Sequence, residues 1–290
     1  YVRDDQISTQ YIMTTLEELG LLKMDFLGLR TLTVIQDTID LVKQNQGIDV
    51  KFDEKMNDPK VYKLWQNGES VGIFQFESQG MTNFMKELKP DCLEDIIAGV
   101  SLYRPGPMDQ IPRYIANKKD PEHAVYTHPA LKPILEVTYG CMVYQEQVMQ
   151  IVRDLAGYSL GRADLVRRAM GKKKLDVMAK EREIFIHGQT DENGNIVVPG
   201  CIRNGIDEQS ANKIFDEMAE FAKYAFNKSH AAAYAVVSYR TAYLKAYYPT
   251  EFMAAMLNSF LGNLDKVPGY IEECKRLSIQ ILKPDINKSY

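Results

Sequence analysis

The residues best suited to chemistry lie between residues 153 and 180, where cations are concentrated. This stretch has eight Lys or Arg against three Asp, within a chain whose formal net charge is −4. Arginine forks grip phosphate through two hydrogen bonds, and lysines add mobile point charge. The adjacent Arg167 and Arg168, followed after a glycine by Lys172 and Lys173, therefore indicate a polyanion site. A solvated helix face is the alternative that charge patterning leaves open.

A second polar group stands in front of a long apolar stretch. Asn227, Lys228, Ser229 and His230 precede a predicted helix over residues 231–247. Ser229 suits the N-cap of this helix, and the free N–H groups beside Lys and His favour an anion. An ordinary capped helix with a structural His230 is the alternative.

One carboxylate, Asp25, interrupts the apolar run of residues 21–28, which is typical of a buried strand. A buried carboxylate is costly unless it is paired, hydrogen-bonded or bound to a metal. Asp25 could cap the following helix or pair with Arg30, or it could bind magnesium at a strand end. The residue pattern alone leaves both interpretations open.

Another cation, Arg104, lies in the segment Tyr103-Arg104-Pro105-Gly106-Pro107. Prolines on both sides of a glycine predict a rigid loop. The loop could be plain architecture, or it could aim Arg104 at a ligand.

The elements that must position these residues are mostly helical. Apolar positions at helical spacing predict helices near residues 31–43, 58–68, 81–88, 92–100, 145–156, 174–187, 207–221, 231–247, 251–260 and 266–277. Short strands are predicted near residues 21–27, 139–144 and 190–198, the last with an Asn193-Gly194 hairpin turn. We therefore expect a mainly α fold with a few short β strands and a small β-hairpin.

Composition excludes several classes of protein. The 290 residues are 45% hydrophobic and 26% charged, and no apolar run approaches the roughly 20 residues that span a bilayer. The four cysteines and four histidines do not cluster, which argues against zinc and for reduced thiols in a cytoplasmic protein. Because the chain begins at Tyr1 without a secretory pattern, we expect a fragment of a longer protein.

Several of these stretches together resemble one family, the alpha subunit of bacterial DNA polymerase III, which is the C-family replicative polymerase. The segment Lys23-Met24-Asp25-Phe26-Leu27-Gly28-Leu29 favours the DnaE-type branch of this family. Residues 23–32 resemble the last part of the family's palm, and residues 284–287 match the end of its fingers. The stretches that resemble the fingers are Tyr103-Arg104-Pro105-Gly106-Pro107, Tyr144-Gln145-Glu146-Gln147-Val148-Met149, Arg167-Arg168-Ala169-Met170-Gly171-Lys172-Lys173-Lys174 and Phe226-Asn227-Lys228-Ser229-His230-Ala231-Ala232-Ala233-Tyr234.

The resemblance implies a palm remnant at residues 1–55 and a fingers domain at residues 56–290. In this family three palm aspartates hold two magnesium ions, and Asp25 matches the third of them. The other two lie in an upstream motif that this chain does not contain, so the fragment should be inactive by itself.

The resemblance also assigns roles to the basic residues. Arg167 and Arg168 match positions that grip the triphosphate of the incoming nucleotide, with Lys172 and Lys173 as helpers. The resemblance also implies that Arg104 is a further contact of the incoming nucleotide. A segment near the nucleotide is matched by the four residues Asn227, Lys228, Ser229 and His230.

The parent protein implied by the resemblance extends a primer 3′-hydroxyl with deoxynucleoside triphosphates and Mg²⁺. It would act in the cytoplasm on primer-template DNA, beside the sliding clamp and other replisome subunits and away from membranes. Two rival hypotheses remain from the residues. One is a non-catalytic helical nucleic-acid-binding module that grips backbone phosphates, and the other is a metal-dependent hydrolase centred on Asp25.

Overall fold

The computed structural model describes residues 1–290 except 23, 25–27, 172–174, 223, 284 and 288–290. The described residues are mainly helical, which confirms the predicted fold class. The α-helices are α1 Met13–Glu18, α2 Arg30–Gln46, α3 Pro59–Asn67, α4 Gln79–Leu88, α5 Leu93–Leu102, α6 Ile111–Lys119, α7 Lys132–Leu135, α8 Gln145–Ala156, α9 Leu160–Gly171, α10 Leu175–His187, α11 Glu208–Phe221, α12 Lys228–Tyr247, α13 Pro249–Ser259 and α14 Val267–Arg276. None of the described helices is long and apolar enough to cross a membrane.

The strands form two small antiparallel pairs. Strand β1 (Val2–Arg3) pairs with β2 (Gln6–Ile7), and β3 (Gln189–Thr190) pairs with β4 (Ile196–Val198). The second pair confirms the predicted hairpin. Its turn is held by the Asp191 carboxylate, which accepts hydrogen bonds from the backbone N–H groups of residues 193 and 195.

The predicted strand at residues 139–144 is wrong. Tyr139 and Gly140 have φ angles of 51° and 79°, which belong to a turn. The backbone N–H groups of Val143 and Tyr144 donate to Oε1 of Gln147, at 2.8 and 2.9 Å, instead of to a strand. A single parallel bridge joins Tyr144 to Phe226. In the predicted strand at 21–27, the described residues 21, 22 and 24 form no strand.

Helix α12 is the central element of the fold. Its first half carries Ala231, Ala235 and Tyr239 into a buried cluster with α3, α4 and α5. Further along, Leu244 enters a second cluster with α2, α13 and α14. Alanines along the first half allow close approach of α5, which is buried from Asp95 to Leu102. One long helix thus joins two parts of the core.

Helices α8, α9, α10 and α11 surround a third cluster of apolar side chains. Helix α9 contributes Ala163, Val166 and Met170, all buried, at helical spacing, and Ala169 of the same helix is also buried. Its opposite face is exposed to solvent at Leu165. Arg168 likewise lies on the outer side of this well-packed helix.

The ammonium group of Lys245 is a buried cation that joins three segments. Its side chain is 0% exposed, and Nζ donates to the carbonyl oxygens of Glu69 and Val71 at 2.7 and 2.6 Å. Nζ also lies 2.6 Å from Oε1 of Glu273 on α14. Burial lowers the pKa of Lys245, and the hydrogen bond to Glu273 opposes that shift. Three acceptors match the three ammonium hydrogens.

We predict that Lys245→Met destabilises the fold by about 3 kcal/mol, because it leaves two buried carbonyl groups without their donor and leaves Arg276 as the remaining partner of the Glu273 carboxylate. The measurement is the free energy of unfolding in urea. Lys43→Met is the matched control, since Lys43 pairs with Asp49 while 64% of its side chain is exposed. Equal urea midpoints for wild type and Lys245→Met would contradict the prediction.

Candidate functional site

Arg167 and Arg168 lie on α9 one turn after Asp164, and this one carboxylate contacts both. Nε and Nη2 of Arg167 donate to Oδ1 of Asp164 at 3.0 and 2.6 Å. Nε of Arg168 lies 2.7 Å from Oδ2. The hydrogen bond from Arg167, aided by both positive charges, lowers the pKa of Asp164. Spacings of three and four residues place the acid and both bases on one side of the helix.

The two guanidinium groups differ in exposure. Arg167 has 20% of its side chain exposed, and Arg168 has 62%. Among the described residues, Nη1 of Arg167 and both Nη atoms of Arg168 have no partner. These nitrogens carry N–H donors that can bind the oxygens of a phosphate.

Lys172, Lys173 and Asp25, which the sequence analysis placed in the site, lie outside the described residues. Their roles therefore stay predictions. The described end of α9 is nevertheless informative. A Cβ added at Gly171 would lie 3.5 Å from the Ala222 carbonyl oxygen, so α9 ends beside the segment that leads to α12.

The prediction that Ser229 caps α12 is wrong, because the helix begins at Lys228 and Ser229 is already its second residue. Asn227 is the N-cap, and its Oδ1 accepts the backbone N–H of His230 at 2.9 Å. Asn is among the best N-cap residues, and its carbonyl oxygen reaches the N3 amide as a Ser hydroxyl would.

The N-terminus of α12 also binds a carboxylate from another helix. The backbone N–H of Lys228 donates to Oε1 and Oε2 of Glu146 at 3.1 and 3.0 Å. Nδ2 of Asn227 donates to the same Oε1 at 2.9 Å. Glu146 lies in the first turn of α8. The anion that the sequence analysis expected at this helix end is therefore supplied by the protein itself.

The side chains of Lys228 and His230 have partners within the protein. Nζ of Lys228 lies 3.0 Å from Oε2 of Glu94 and 5.2 Å from the centre of the Tyr144 ring. The His230 ring stacks on Tyr234 with a centroid distance of 4.3 Å. Ser229 and His230 are exposed to solvent. This helix end is thus ordered by internal contacts and still presents a polar surface.

Arg104 lies against the segment that precedes α12. Its guanidinium carbon is 3.9 Å from the centre of the Phe226 ring, and Nη2 donates to the Tyr224 carbonyl oxygen at 3.1 Å. Burial lowers the pKa of Arg104. The loop fits closely, since a Cβ added at Gly106 would lie 2.3 Å from the Tyr224 ring. Phe226 in turn contacts His230, with a centroid distance of 5.4 Å.

We call Arg104, Phe226, Lys228 and His230 the Phe226 cluster. Arg104 and His230 both contact the Phe226 ring, and Lys228 follows Phe226 by two residues in the chain. Among the described residues, no hydrogen bond, ion pair or ring contact joins the cluster to Arg167 or Arg168. The site therefore consists of two basic groups, one on α9 and one at the start of α12.

A cavity of about 330 Å³ is lined in part by Tyr224, whose carbonyl oxygen accepts a hydrogen bond from Arg104 of the Phe226 cluster. Apolar side chains of Leu131 and Phe221 line it, together with three carboxylate residues and one cation, Arg113. Nη2 of Arg113 is directed to two backbone carbonyl oxygens. The excess of acid makes this cavity unsuitable for a triphosphate.

One described group of side chains has metal-ligand spacing: Asp91, Cys92 and Asp95 offer ligand atoms within 4.8 Å of one another. Nζ of Lys118 contacts both carboxylates. Burial raises the pKa of the Cys92 thiol to about 11, so the thiol stays protonated. Because an ammonium group already neutralises the acids, this group does not suit a magnesium ion.

Sequence reasoning missed the three acids that hold the basic residues. The sequence does indicate the contacts of Asp164, since this residue precedes Arg167 by three positions and Arg168 by four on a predicted helix. Glu146 and Glu94 had none, because 82 and 134 residues separate them from Lys228. Only the folded chain brings those charges together.

The fold and the site together define a helical domain with two adjacent arginines on α9 and a polar helix end at the start of α12. Residues 31–193 match the family described as the bacterial DNA polymerase III alpha subunit finger domain. This match extends over more than half of the chain and includes Arg104, Arg167 and Arg168.

Curated relatives named DNA polymerase III subunit alpha match almost the whole chain. The Thermus aquaticus protein is 50% identical over 287 residues, which cover 97% of this chain and 22% of the relative. The Borreliella burgdorferi protein is 48% identical, with 99% and 24% covered, and the Aquifex aeolicus protein is 45% identical, with 100% and 24% covered. The chain belongs to the family of bacterial DNA polymerase III alpha subunits. It spans about a quarter of the length of these relatives.

We predict that Glu146→Ala costs about 1 kcal/mol of the free energy of unfolding, because it removes the acceptor of two donors at the start of α12. Glu192→Ala is the control, since Glu192 lies exposed in the β3–β4 turn. The check is urea unfolding followed by far-ultraviolet circular dichroism. Identical midpoints for the two variants would show that the Glu146 contact contributes nothing.

Proposed function

We propose that this chain is the part of a replicative DNA-directed DNA polymerase that binds the incoming deoxynucleoside triphosphate, with Arg167 and Arg168 as the residues that contact its phosphates. The observation that carries the proposal is the arginine pair on α9. One carboxylate orders both side chains, and their remaining nitrogens have no described partner. The finger-domain match includes this helix.

In phosphoryl transfer the protein mainly positions groups and neutralises charge. Arg167 and Arg168 would neutralise the triphosphate, with Lys172 and Lys173 as supporting charge. At the start of α12, Asn227 and Lys228 donate hydrogen bonds to Glu146. These two residues would form an ordered wall of the nucleotide site. The exposed Ser229 and His230 are the members of that segment accessible to a ligand. Arg104 would support the wall through Phe226.

We assign residues 1–55 to the palm remnant and residues 56–290 to the fingers. Helix α2 belongs to the first of these ranges, and it packs on α12 and α13. That contact would anchor the end of the palm to the fingers.

The magnesium pair of the parent enzyme cannot be built from this chain. The resemblance gives it one of three aspartates, Asp25, and the described carboxylates of Asp91 and Asp95 are paired with Lys118. One carboxylate does not bind two magnesium ions at the required spacing. The contribution of this chain is therefore limited to binding and orienting the nucleotide.

In the parent protein the domain would serve extension of a primer 3′-hydroxyl on template DNA. Its partners would be primer-template DNA, deoxynucleoside triphosphates, the sliding clamp and other replisome subunits. The cytoplasm is the compartment in which such an enzyme acts.

A non-catalytic module that grips the phosphates of a nucleic acid is the second candidate. The 62% exposure of the Arg168 side chain favours it, because a duplex backbone needs an accessible cation. The two functions differ in the ligand that the arginines recognise.

We expect Arg167→Ala combined with Arg168→Ala to weaken binding of a fluorescent deoxynucleoside triphosphate at least tenfold, because charge-assisted hydrogen bonds are lost. Fluorescence anisotropy measures the Kd. The control is Arg153→Ala, which removes an ion-paired arginine on α8 with 47% exposure. If the double variant binds the nucleotide as wild type does and loses only DNA, the second candidate is correct.

The 290-residue chain should extend no primer in the presence of Mg²⁺ and all four deoxynucleoside triphosphates, since two metal-binding aspartates are missing. A full-length relative serves as the positive control in a gel-based extension assay. Extension by the purified chain that depends on Mg²⁺ and scales with its concentration would refute the assignment.

A further inference from the structure

We propose that Asp164 is a positioning residue for polyphosphate: its carboxylate holds the guanidinium groups of Arg167 and Arg168 in the arrangement that receives adjacent phosphates. The inference rests on the proposed function, in which those arginines bind the triphosphate. It goes beyond that function, because it gives an acidic residue a favourable role in an anion site.

The first support is the geometry of the contacts. Both oxygens of Asp164 are used, Oδ1 by Arg167 and Oδ2 by Arg168. The carboxylate takes the Nε side of each guanidinium group, at 3.0 Å for Arg167 and 2.7 Å for Arg168. The nitrogens left without a described partner are therefore Nη1 of Arg167 and both Nη atoms of Arg168, on two neighbouring side chains. One guanidinium nitrogen of Arg167 and a two-nitrogen fork of Arg168 could contact two phosphate groups linked through one oxygen.

The second support is the conformational entropy that the arginine side chains lose when a ligand binds. Two adjacent guanidinium groups repel each other, and a free arginine side chain loses considerable rotamer entropy when it binds. Asp164 reduces the local charge from two positive charges to one, and it orders both side chains before a ligand arrives. A preordered site loses less entropy on binding.

Electrostatics alone predicts the opposite effect. An acid beside an anion site repels the ligand, so its removal should strengthen binding if Asp164 only contributes charge. An ordinary helical ion pair contributes a few tenths of a kcal/mol to stability and has no effect on ligand choice. The sign of the change in Kd therefore separates the positioning role from both alternatives.

The test compares three variants of the 290-residue chain. Asp164→Asn removes the charge at constant size, Asp164→Glu keeps the charge on a longer side chain, and Asp154→Asn is the control. Asp154 pairs with Arg153 on α8, with Nε of that arginine 2.7 Å from Oδ1. The probes are dATP, dAMP and inorganic tripolyphosphate, and the readout is the equilibrium Kd by calorimetry. Circular dichroism reports whether the helices persist.

We expect Asp164→Asn to raise the Kd for dATP and tripolyphosphate about tenfold and the Kd for dAMP less than threefold. Asp164→Glu should recover part of the affinity, and Asp154→Asn should bind as wild type does. A Kd for dATP that falls or does not change in Asp164→Asn overturns the inference, as does an equal loss for all three probes. If Asp164→Asn reduces helicity, the recovery in Asp164→Glu decides.

The Arg167→Ala and Arg168→Ala double variant separates this inference from the proposed function. If the double variant binds dATP as wild type does, the proposed function fails and the role of Asp164 fails with it. If the double variant loses dATP and Asp164→Asn does not, the proposed function stands and only the role of Asp164 is rejected.

Discussion

The buried ammonium group of Lys245 is the constraint on which the arrangement of α12 depends. It has three acceptors on two other segments, so the last part of α12 can neither slide nor rotate without leaving a charge unpaired in the core. At the other end, both carboxylate oxygens of Glu146 accept from the first backbone amide of the same helix, that of Lys228. Polar contacts thus fix both ends of a helix whose middle packs through small apolar residues. The position of the Phe226 cluster therefore depends on this helix, which contains Lys228 and His230.

Internal acids accompany the basic residues of the site. Asp164 contacts two arginines, and Lys228 lies beside Glu94 while its backbone amide binds Glu146. A bare cluster of cations would repel itself and would bind any polyanion without preference. Acids at defined positions lower that repulsion and order the side chains. In the proposed function this order would let the site select a ligand by the geometry of its phosphates as well as by its charge.

Much of the fold could be predicted from the sequence because helices have a local signal. The apolar spacing within residues 145–156 gives α8 at its observed bounds, and Asn193-Gly194 gives the hairpin turn. The strand predicted at 139–144 failed because periodicity cannot show that Gln147 takes the amides of Val143 and Tyr144. The N-cap of α12 is Asn227, two residues before the predicted Ser229. Sequence patterns commonly place a helix end one or two residues away from its position in the structure. The partners of Lys228 are distant in sequence and have no local signature.

The basic residues of the site lie on helices and not on a glycine-rich loop. A glycine-rich loop binds phosphate through backbone amides, which needs no side chain but confines the ligand to one strand-to-helix turn. Here the first backbone amide of α12 binds Glu146 and the third binds Asn227. Arginines on a well-packed helix, ordered by an acid one turn earlier, hold donors at fixed positions without a loop. In the proposed function such a site would keep its geometry when the ligand leaves, because its order comes from the helix and from Asp164.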